Sequence, residues 1–323
     1  MLQLPDLRYD VATGLSLGAR EEQEDSVLCD VPQGGGAGVL LLADGLGGHA
    51  GGALASRVAV TTALQEIAAR RDAQGRLPEN IPATLRTAAE AANHAVLAQS
   101  EVDPELQGMG TTLVMAVVQD RALYWLSVGD SPLYLHRDGK LAKINATHSL
   151  APHLDLLVEA GEMDPEEAAV HPGRNCLTSA LGTVAIEKID CPETPRRLEP
   201  GDSVLVASDG ILSLKAHDIA TALDASRTRA LAGGTSPGEC VERLLRAVVG
   251  VGAEDQDNTS LALLRVGETS VEAAAAPPPP LLERLWSRFQ GRAASVAASV
   301  APRVGLPGRD LELTRMTERS GDA

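Results

Sequence analysis

The sequence of 323 residues predicts one large domain of the α+β class, followed by a linker and a tail. Short apolar runs bounded by turn residues are typical of buried strands, and they recur along most of the chain. Longer stretches carry apolar side chains on one side only, as surface helices do. From residue 268 the composition shifts to alanine and then to four consecutive prolines. We therefore expect a domain at 1–267, a linker at 268–280 and a tail at 281–323.

The first part of the domain combines two predicted strands with two predicted helices. The strands end near residue 17 and cover 39–43, and the helices cover 53–71 and 82–101. Between the two strands lies the polar segment 18–26, in which four acids and an arginine fall within six residues. Such a segment is ordinarily a solvated surface loop.

The second part of the domain is dominated by predicted strands. Apolar runs at 111–118 and 122–128 are separated by a three-residue turn, which indicates neighbouring strands. Two shorter strands follow on either side of Asp138 and Gly139, a pair typical of a hairpin turn. The remaining pattern predicts helices at 150–160, after 165, at 216–223 and at 237–249, a turn and strand over 198–207, and a final strand at 259–266.

The composition narrows the range of functions. A net charge of −16 argues against a nucleic-acid-binding protein, because such proteins usually carry a basic surface. The four cysteines lie far apart and lack the CxxC spacing of zinc or redox sites. No basic-then-apolar signal opens the sequence, and no apolar run approaches the length that spans a bilayer. We expect a cytoplasmic protein.

Residues 39–56 combine a buried strand with a charged strand end. The strand ends on Asp44, and Gly45 and a glycine-rich turn then lead into a helix. A carboxylate at the end of a buried strand is costly unless a cation meets it, and a metal ion would do so. A tight Asp-Gly turn without any metal is the alternative interpretation of the same residues.

Other predicted strands end on acids in the same way. Asp130 and Asp209 each follow an apolar run, and further acids flank the first and last strands at 24–25 and 255–257. If these strand ends meet, five or six carboxylates converge, and only cations could keep them ionised. Oxygen ligands without histidine or cysteine select Mg²⁺ or Mn²⁺. Two such ions suit the attack of hydroxide on phosphorus, with an arginine such as Arg20 gripping the phosphate.

Six short motifs resemble the metal-dependent protein phosphatases, which are the type 2C serine/threonine phosphatases, and the bacterial branch most closely. In order they are RxxxED at 20–25, ADGxGGHxGG at 43–52, GTT at 110–112, GDS at 129–131, SDG at 208–210 and DN at 257–258. The resemblance covers about residues 8–267. It implies a four-layer α-β-β-α sandwich, with two antiparallel sheets flanked by helices. It also implies hydrolysis of phosphoserine and phosphothreonine on proteins that a cognate Ser/Thr kinase has phosphorylated.

The resemblance further implies roles for individual residues. Asp44 resembles the carboxylate that bridges two core Mn²⁺ or Mg²⁺ ions, and the carbonyl of Gly45 joins the first ion. Asp130 matches the residue that recruits a third, weaker ion, and Arg20 matches the phosphate-binding arginine. The other residues that the resemblance places at the metal site are Glu24, Asp209 and Asp257, with Asp25 as a supporting partner.

Three positions depart from the family pattern. Gln23 replaces an asparagine, Pro132 replaces the arginine of a GDSR motif, and Thr147 replaces the aspartate that precedes His-Ser. None of them removes an expected metal ligand. They affect the flap that the resemblance implies at 145–182, and with it the preference for substrates.

Three histidines are candidates for chemistry near such a site. His49 resembles the histidine of the family's glycine loop, where it either protonates the leaving alkoxide or supports the start of the helix. For His148 and His171 we expect packing or hydrogen bonding within the flap rather than catalysis.

Two other functions fit parts of the pattern. The strand, glycine turn and helix around Asp44 mimic a dinucleotide-binding domain, but an acid stands where pyrophosphate would lie. That fingerprint also expects an acid at the end of a second strand, whereas Glu66 falls in a predicted helix. The second alternative is a phosphatase-like module that binds phosphoproteins or regulates a kinase without catalysis. Retention of every expected metal ligand argues against it.

The tail differs in charge from the rest of the chain. Residues 281–300 can be drawn as an amphipathic helix, and 281–309 hold five arginines against one acid. Such a helix either docks on the domain or stays disordered. Alternatively, it lies weakly on an anionic membrane surface or in the groove of a partner.

Overall fold

The computed structural model describes residues 7–32, 37–47, 50–230 and 236–268. In chain order its strands are β1 (Leu7–Ser16), β2 (Ser26–Asp30), β3 (Gly38–Ala43), β4 (Gly45–Leu46), β5 (Gly110–Thr111), β6 (Leu113–Gln119), β7 (Ala122–Val128), β8 (Leu133–Arg137), β9 (Lys140–Lys143), β10 (Arg196–Arg197), β11 (Ser203–Ala207) and β12 (Thr259–Glu268). Its α-helices are α1 (Ala50–Ala68), α2 (Ile81–Val102), α3 (Ala151–Glu159), α4 (Pro165–Ala169), α5 (Ala216–Ala230) and α6 (Pro237–Val251).

The described strands form two five-stranded antiparallel sheets and a small two-stranded one. The first sheet has the order β1-β12-β11-β8-β9, and the second has the order β10-β7-β6-β3-β2. The small sheet pairs β4 with β5, directly beyond the end of β3. The turn between β8 and β9 contains Asp138 and Gly139 at positive φ, which confirms the predicted hairpin.

Strand β3 shows how the layers are built, because both of its faces are buried. Leu40 and Leu42 point into the core between the two sheets, whereas Val39 and Leu41 point toward α1 and α2. Side chains alternate between faces along a strand, so a continuous apolar run serves two cores at once. The central strands of the second sheet are therefore apolar throughout rather than alternating.

The opposite sheet is covered by α5 and α6. Leu205 and Leu263 pack with Ile219 and Leu244 of these helices. The order of layers is thus helices, sheet, sheet, helices, and the predicted four-layer α-β-β-α sandwich is confirmed.

Two local predictions need correction. The segment around Ser26–Asp30 forms a strand that the sequence pattern did not predict, because its short apolar run is hidden behind acidic residues. Helix α1 begins at Ala50 rather than at residue 53, so Gly51 and Gly52 are helical residues and not part of a turn. A Cβ atom at Gly52 would overlap the carboxylate of Glu24, so that flexible side chain would have to move away from the Asp44–Gly45 turn.

Several predictions fall on residues outside those that the structure describes. They are the role of His49, the linker from residue 269 onward and the amphipathic tail. Within the described residues, no helix has the length and apolar content needed to cross a membrane.

Candidate active site

The acidic strand ends meet in one cleft of about 520 Å³. Asp44 follows β3, Asp130 follows β7, Asp209 follows β11, and Asp257 precedes β12. These strands belong to both large sheets, so the cleft lies at one end of the sandwich. The acidic residues that line it are Glu21, Glu22, Glu24, Asp44, Asp130, Asp209 and Asp257, and the lining also includes Arg20, Gly45 and Thr112.

The backbone of Asp44 is fixed by the two threonines of the GTT motif. The Thr112 hydroxyl accepts the Asp44 N–H at 2.9 Å, and the Thr111 hydroxyl donates to the Asp44 carbonyl at 2.8 Å. Thr112 is itself hydrogen-bonded to the hydroxyl of Ser131 at 2.9 Å. Both threonines are buried, so Asp44 is held at the strand end by groups that water does not reach.

The carboxylates strongly influence one another. Burial raises the pKa of Asp44 well above its ordinary value, and the charges of Asp25 and Asp209 raise it further. Burial also raises the pKa of Asp25 to about 6. The pKa of Asp209 rises to about 7 through burial and then through the charge of Asp130. Like charges that are partly removed from water resist ionisation, and a cation would relieve this cost.

Asp25 lies behind the cleft and supports it. It is 5% exposed, and the hydroxyl of Ser208 donates to its Oδ2 at 2.7 Å. Ser208 in turn accepts the backbone N–H of Ser260 at 2.9 Å. Asp25 is thereby joined to the neighbouring sheet strand rather than to the open cleft, which suits the supporting role implied for it.

The acidic loop that precedes β2 is pinned by Asn258. The side-chain oxygen of Asn258 accepts the Glu24 N–H at 2.8 Å, and its amide group donates to the carbonyls of Leu17 and Glu22 at 2.9 and 3.1 Å. Gln23, one of the departures from the family pattern, accepts the Asp25 N–H at 3.0 Å. The departure therefore leaves this loop hydrogen-bonded.

Arg20 forms an ion pair inside the cleft. Its Nη2 lies 2.7 Å from Oδ2 of Asp257, and the two side chains are 56% and 41% exposed. The guanidinium thus contacts a predicted metal-site residue. Because the pair is exposed, it is weak and can exchange for another partner.

Two glycines allow the walls of the cleft to come close together. The Gly45 N–H donates to the carbonyl of Glu24 at 3.2 Å, and a Cβ atom at Gly45 would overlap the backbone of Gly52. At Gly210, a Cβ atom would overlap the carbonyl of Asn258. These contacts bring Glu24 beside the Asp44–Gly45 turn and Asp209 beside Asp257.

The donor chemistry of the cleft fits hard divalent cations. Within the described ranges, no three acidic, histidine or cysteine side chains converge closely enough to form a ready-made metal cage. Mg²⁺ retains several of its waters and is held by few protein carboxylates, so a tight cage is not required. The oxygen-only lining and the unfavourable mutual repulsion at Asp44 together match hydrated Mg²⁺ or Mn²⁺.

The flap is anchored to the base of the cleft by His148. Its Nδ1 accepts the Gly129 N–H at 3.2 Å, and its backbone N–H donates to the Gly129 carbonyl at 2.9 Å. His171 accepts the Gly173 N–H at 3.1 Å within the flap itself. Both histidines therefore form the loop hydrogen bonds that we expected. Thr147, another departure from the family, accepts a hydrogen bond from Lys143.

Sequence reasoning missed the roles of Ser208, Thr112 and Asn258. Ser208 and Asn258 each stand next to an expected ligand in a short motif, whereas Thr112 lies in the GTT motif, which contains no expected ligand. A small polar residue directly beside a buried carboxylate is the signal that could have identified Ser208 and Asn258, since such a carboxylate needs hydrogen-bond donors. Asn175 and Leu177 of the flap also line the cleft, and no local pattern distinguishes them.

Comparisons with known proteins agree with this geometry. A family model described as protein phosphatase 2C matches residues 20–235. The serine/threonine protein phosphatase PstP of Mycobacterium tuberculosis is 36% identical over 210 residues, which are 64% of this chain and 36% of PstP. The chain thus spans about a third of the length of that relative. The protein phosphatase PhpP of Streptococcus pneumoniae is 30% identical over 240 residues, which are 73% of this chain and 89% of PhpP.

Solved structures share the fold. The catalytic domain of a serine/threonine protein phosphatase PstP, in complex with two manganese ions, superposes with a TM-score of 0.64 at 29% identity. The match covers 81% of this chain and all of that one.

Proposed function

Because this chain belongs to the protein phosphatase 2C family, we propose that it hydrolyses phosphoserine and phosphothreonine on proteins. The observation that carries the proposal is the placement of Asp44 at the floor of a cleft, among carboxylates that raise its pKa. Such a cluster is costly in a folded protein and is expected where cations bind. Phosphoproteins made by a cognate Ser/Thr kinase are the proposed substrates, and the cytoplasm is the proposed location.

The residues of the cleft divide into ion-holding and phosphate-binding groups. Asp44 and the carbonyl of Gly45 would hold the core ions, together with the side chains of Glu24, Asp209 and Asp257. Asp130 would hold a third, weaker ion. When bound, Mn²⁺ or Mg²⁺ lowers the pKa of a coordinated water and neutralises the phosphoryl oxygens.

Arg20 would bind the substrate phosphate after releasing Asp257. Its guanidinium is exposed at the mouth of the cleft, and two of its N–H groups can contact one phosphate. Asp257 then becomes free for an ion. The positive charge of Arg20 would thus offset the acidic residues of the cleft before the substrate binds, and the phosphate charge afterwards.

Phosphate release from a phosphothreonine peptide tests the proposal directly. We expect turnover with Mn²⁺, none in EDTA, and a loss of more than 100-fold in kcat for Asp44→Asn, because a charge that faces the core ions is removed. Arg246→Ala, in an exposed ion pair on α6, is the matched control and should keep full activity. An Asp44→Asn enzyme with more than about a tenth of the wild-type kcat would remove Asp44 from the catalytic role. Peptide binding without any turnover by the wild-type chain would indicate a binding module instead.

A further inference from the structure

A second cleft, of about 660 Å³, opens on the side of the sandwich between the edges of the two sheets. Trp125 of β7 and Leu135 of β8 lie beneath its floor and are only 4% and 8% exposed, and Ile144, Pro192 and Pro195 supply its partly exposed apolar lining. Arg196 and Arg197 of the edge strand β10 stand at its rim. The cleft shares no lining residue with the acidic cleft described above.

The cleft exists because the edge of β7 is only partly covered. β10 pairs with Ala122 and Leu123 alone, and the next pairing is the bridge between Asp190 and Ser127. The intervening segment 191–195 contains two prolines, which cannot donate backbone hydrogen bonds to a neighbouring strand. The chain therefore bulges away from β7 and leaves Trp125 at the bottom of a groove.

Some of the charged side chains at this cleft have ion-pair partners within the described residues, and others do not. Arg137 is held by Asp202 at 2.7 Å and by Glu199 at 2.8 Å. The side chains of Arg196 and Arg197 are exposed, and within the described residues neither has an ion-pair partner. Consecutive residues of a strand point to opposite faces, so these two exposed guanidinium groups flank the cleft from the two faces of β10.

The acid Asp190 in this cleft is already engaged by the protein itself. One oxygen of Asp190 accepts the indole N–H of Trp125 at 3.0 Å and the backbone N–H of Ala146 at 2.9 Å. These two bonds fix one oxygen of Asp190 against Trp125. The lining of the cleft holds three arginines, Arg137, Arg196 and Arg197, against the acids Asp190 and Glu199, so its formal charge is positive.

We propose that this cleft docks an acidic segment of the protein substrate that also carries a large apolar side chain. The carboxylates would pair with Arg196 and Arg197, and the apolar side chain would pack on Ile144, Pro192 and Pro195. The identity of the partner as substrate rests on the proposed function, whereas the preference for an acidic segment rests on this cleft alone. Charge complementarity favours such a segment over a basic one.

The distance between the two clefts sets the spacing in the substrate. Strand β7 begins beside Arg197 and ends two residues before Asp130. Seven strand residues span about 20 Å at ~3.3 Å per residue. An extended substrate therefore needs the acidic segment roughly seven or more residues from the phosphorylated side chain.

Direct peptide binding tests the cleft without any turnover. A fluorescein-labelled peptide rich in glutamate, with one leucine and no phosphate, is titrated with the full chain in Mn²⁺ and followed by anisotropy. We expect the double variant Arg196→Ala/Arg197→Ala to raise Kd about tenfold, because two charge contacts are lost. Arg246→Ala removes one positive charge on α6, away from the cleft, and should change Kd less than about twofold.

Several outcomes of the same titration would contradict the proposal. Equal Kd values for wild type and the double variant would overturn the proposal, as would an equal loss in Arg246→Ala or no binding by the wild type. Asp44→Asn should bind the peptide like the wild type. If that variant lost binding as well, the peptide would be occupying the acidic cleft through its metals, and the second cleft would have no role.

Kinetics then connect the cleft to the substrate. Two phosphothreonine peptides are compared, one of which carries the acidic segment about eight residues from the phosphate. We expect a KM about tenfold lower for the acidic peptide at similar kcat, and the double variant should erase the difference. The double variant should hydrolyse p-nitrophenyl phosphate at the wild-type rate. A retained KM difference in the double variant would overturn the docking role. Failure of both peptides to react would instead contradict the phosphatase activity, and the docking proposal would then be decided by the peptide titration alone.

Discussion

Arg20 and Asp257, which are 237 positions apart in the sequence, form an ion pair of 2.7 Å across the mouth of the acidic cleft. The pair joins the loop before β2, an edge strand of the second sheet, to the segment that precedes β12 of the first sheet, so it links the two sheets. The guanidinium group of Arg20 thus contacts the carboxylate that would hold a metal ion. It is also the group that would bind a phosphate. In the proposed function, binding of phosphate by Arg20 and of an ion by Asp257 would both rearrange this pair.

Replacing Arg20 by alanine should separate phosphate binding from metal binding. We expect KM for a phosphopeptide to rise about tenfold, because a charge-assisted contact to the phosphate is lost. The affinity for Mn²⁺ should stay equal or tighten slightly, because Asp257 is released from an exposed and therefore weak pair. Kinetics and isothermal titration calorimetry measure the two quantities. Loss of a core Mn²⁺ in Arg20→Ala would contradict the phosphate-binding role.

The raised carboxylate pKa values predict an unusual pH dependence for the metal-free protein. The pKa is about 6 for Asp25 and about 7 for Asp209, whereas an unfolded chain has the ordinary lower value. The folded state therefore binds more protons, and stability should fall as pH rises through this range, with Asp44, whose pKa is also raised, adding to the fall. Urea unfolding in EDTA measures the trend.

Saturating Mn²⁺ should reverse that dependence, because ion binding requires deprotonated carboxylates. In Asp209→Asn, the metal-free protein should lose the upper part of the slope. A metal-free stability that rises between about pH 5 and pH 7 would contradict the arrangement of carboxylates described here.

Asp130→Ala should affect only the third, weaker ion. Asp130 lies at the end of β7, and its charge contributes to the raised pKa of Asp209. Removing it should lower the Mn²⁺ stoichiometry by one at high concentration, while the core ions remain. Calorimetric titrations of both proteins measure this number. Identical stoichiometry in the two would reject a third site at Asp130.

Much of this fold could be predicted because its strands follow simple rules. β3 and β6 are apolar throughout and end in turn residues, so their position was visible in the sequence. The five residues of β2 were not predicted, because pairing with β3 rather than local preference makes them a strand. The start of α1 was misplaced because glycine disfavours helix, so Gly51 and Gly52 were assigned to a turn although both lie in the first turn of α1.

At the site, too, local sequence patterns could be predicted and contacts between distant residues could not. The acids at strand ends were visible as a repeated pattern, and the structure brings Asp44, Asp130, Asp209 and Asp257 into one cleft. The pairing of Arg20 with Asp257 was not predicted, because it depends on the side-chain positions of two distant loops. The second cleft could not be predicted either, since it arises from incomplete coverage of one strand edge.

The hydrogen bonds of Asn258 predict a defect in the loop that carries Arg20. Its side chain holds three backbone groups within residues 17–24, so Asn258→Ala should cost about 1–3 kcal/mol in stability and loosen the loop. Asn93→Ala is the matched control, because this buried amide likewise bonds backbone groups of one loop, at 182–183. Both variants should unfold at lower urea, but only Asn258→Ala should raise KM for a phosphopeptide, by about fivefold or more. An equal change of KM in both variants would mean that lowered stability, rather than the position of Arg20, controls phosphate binding.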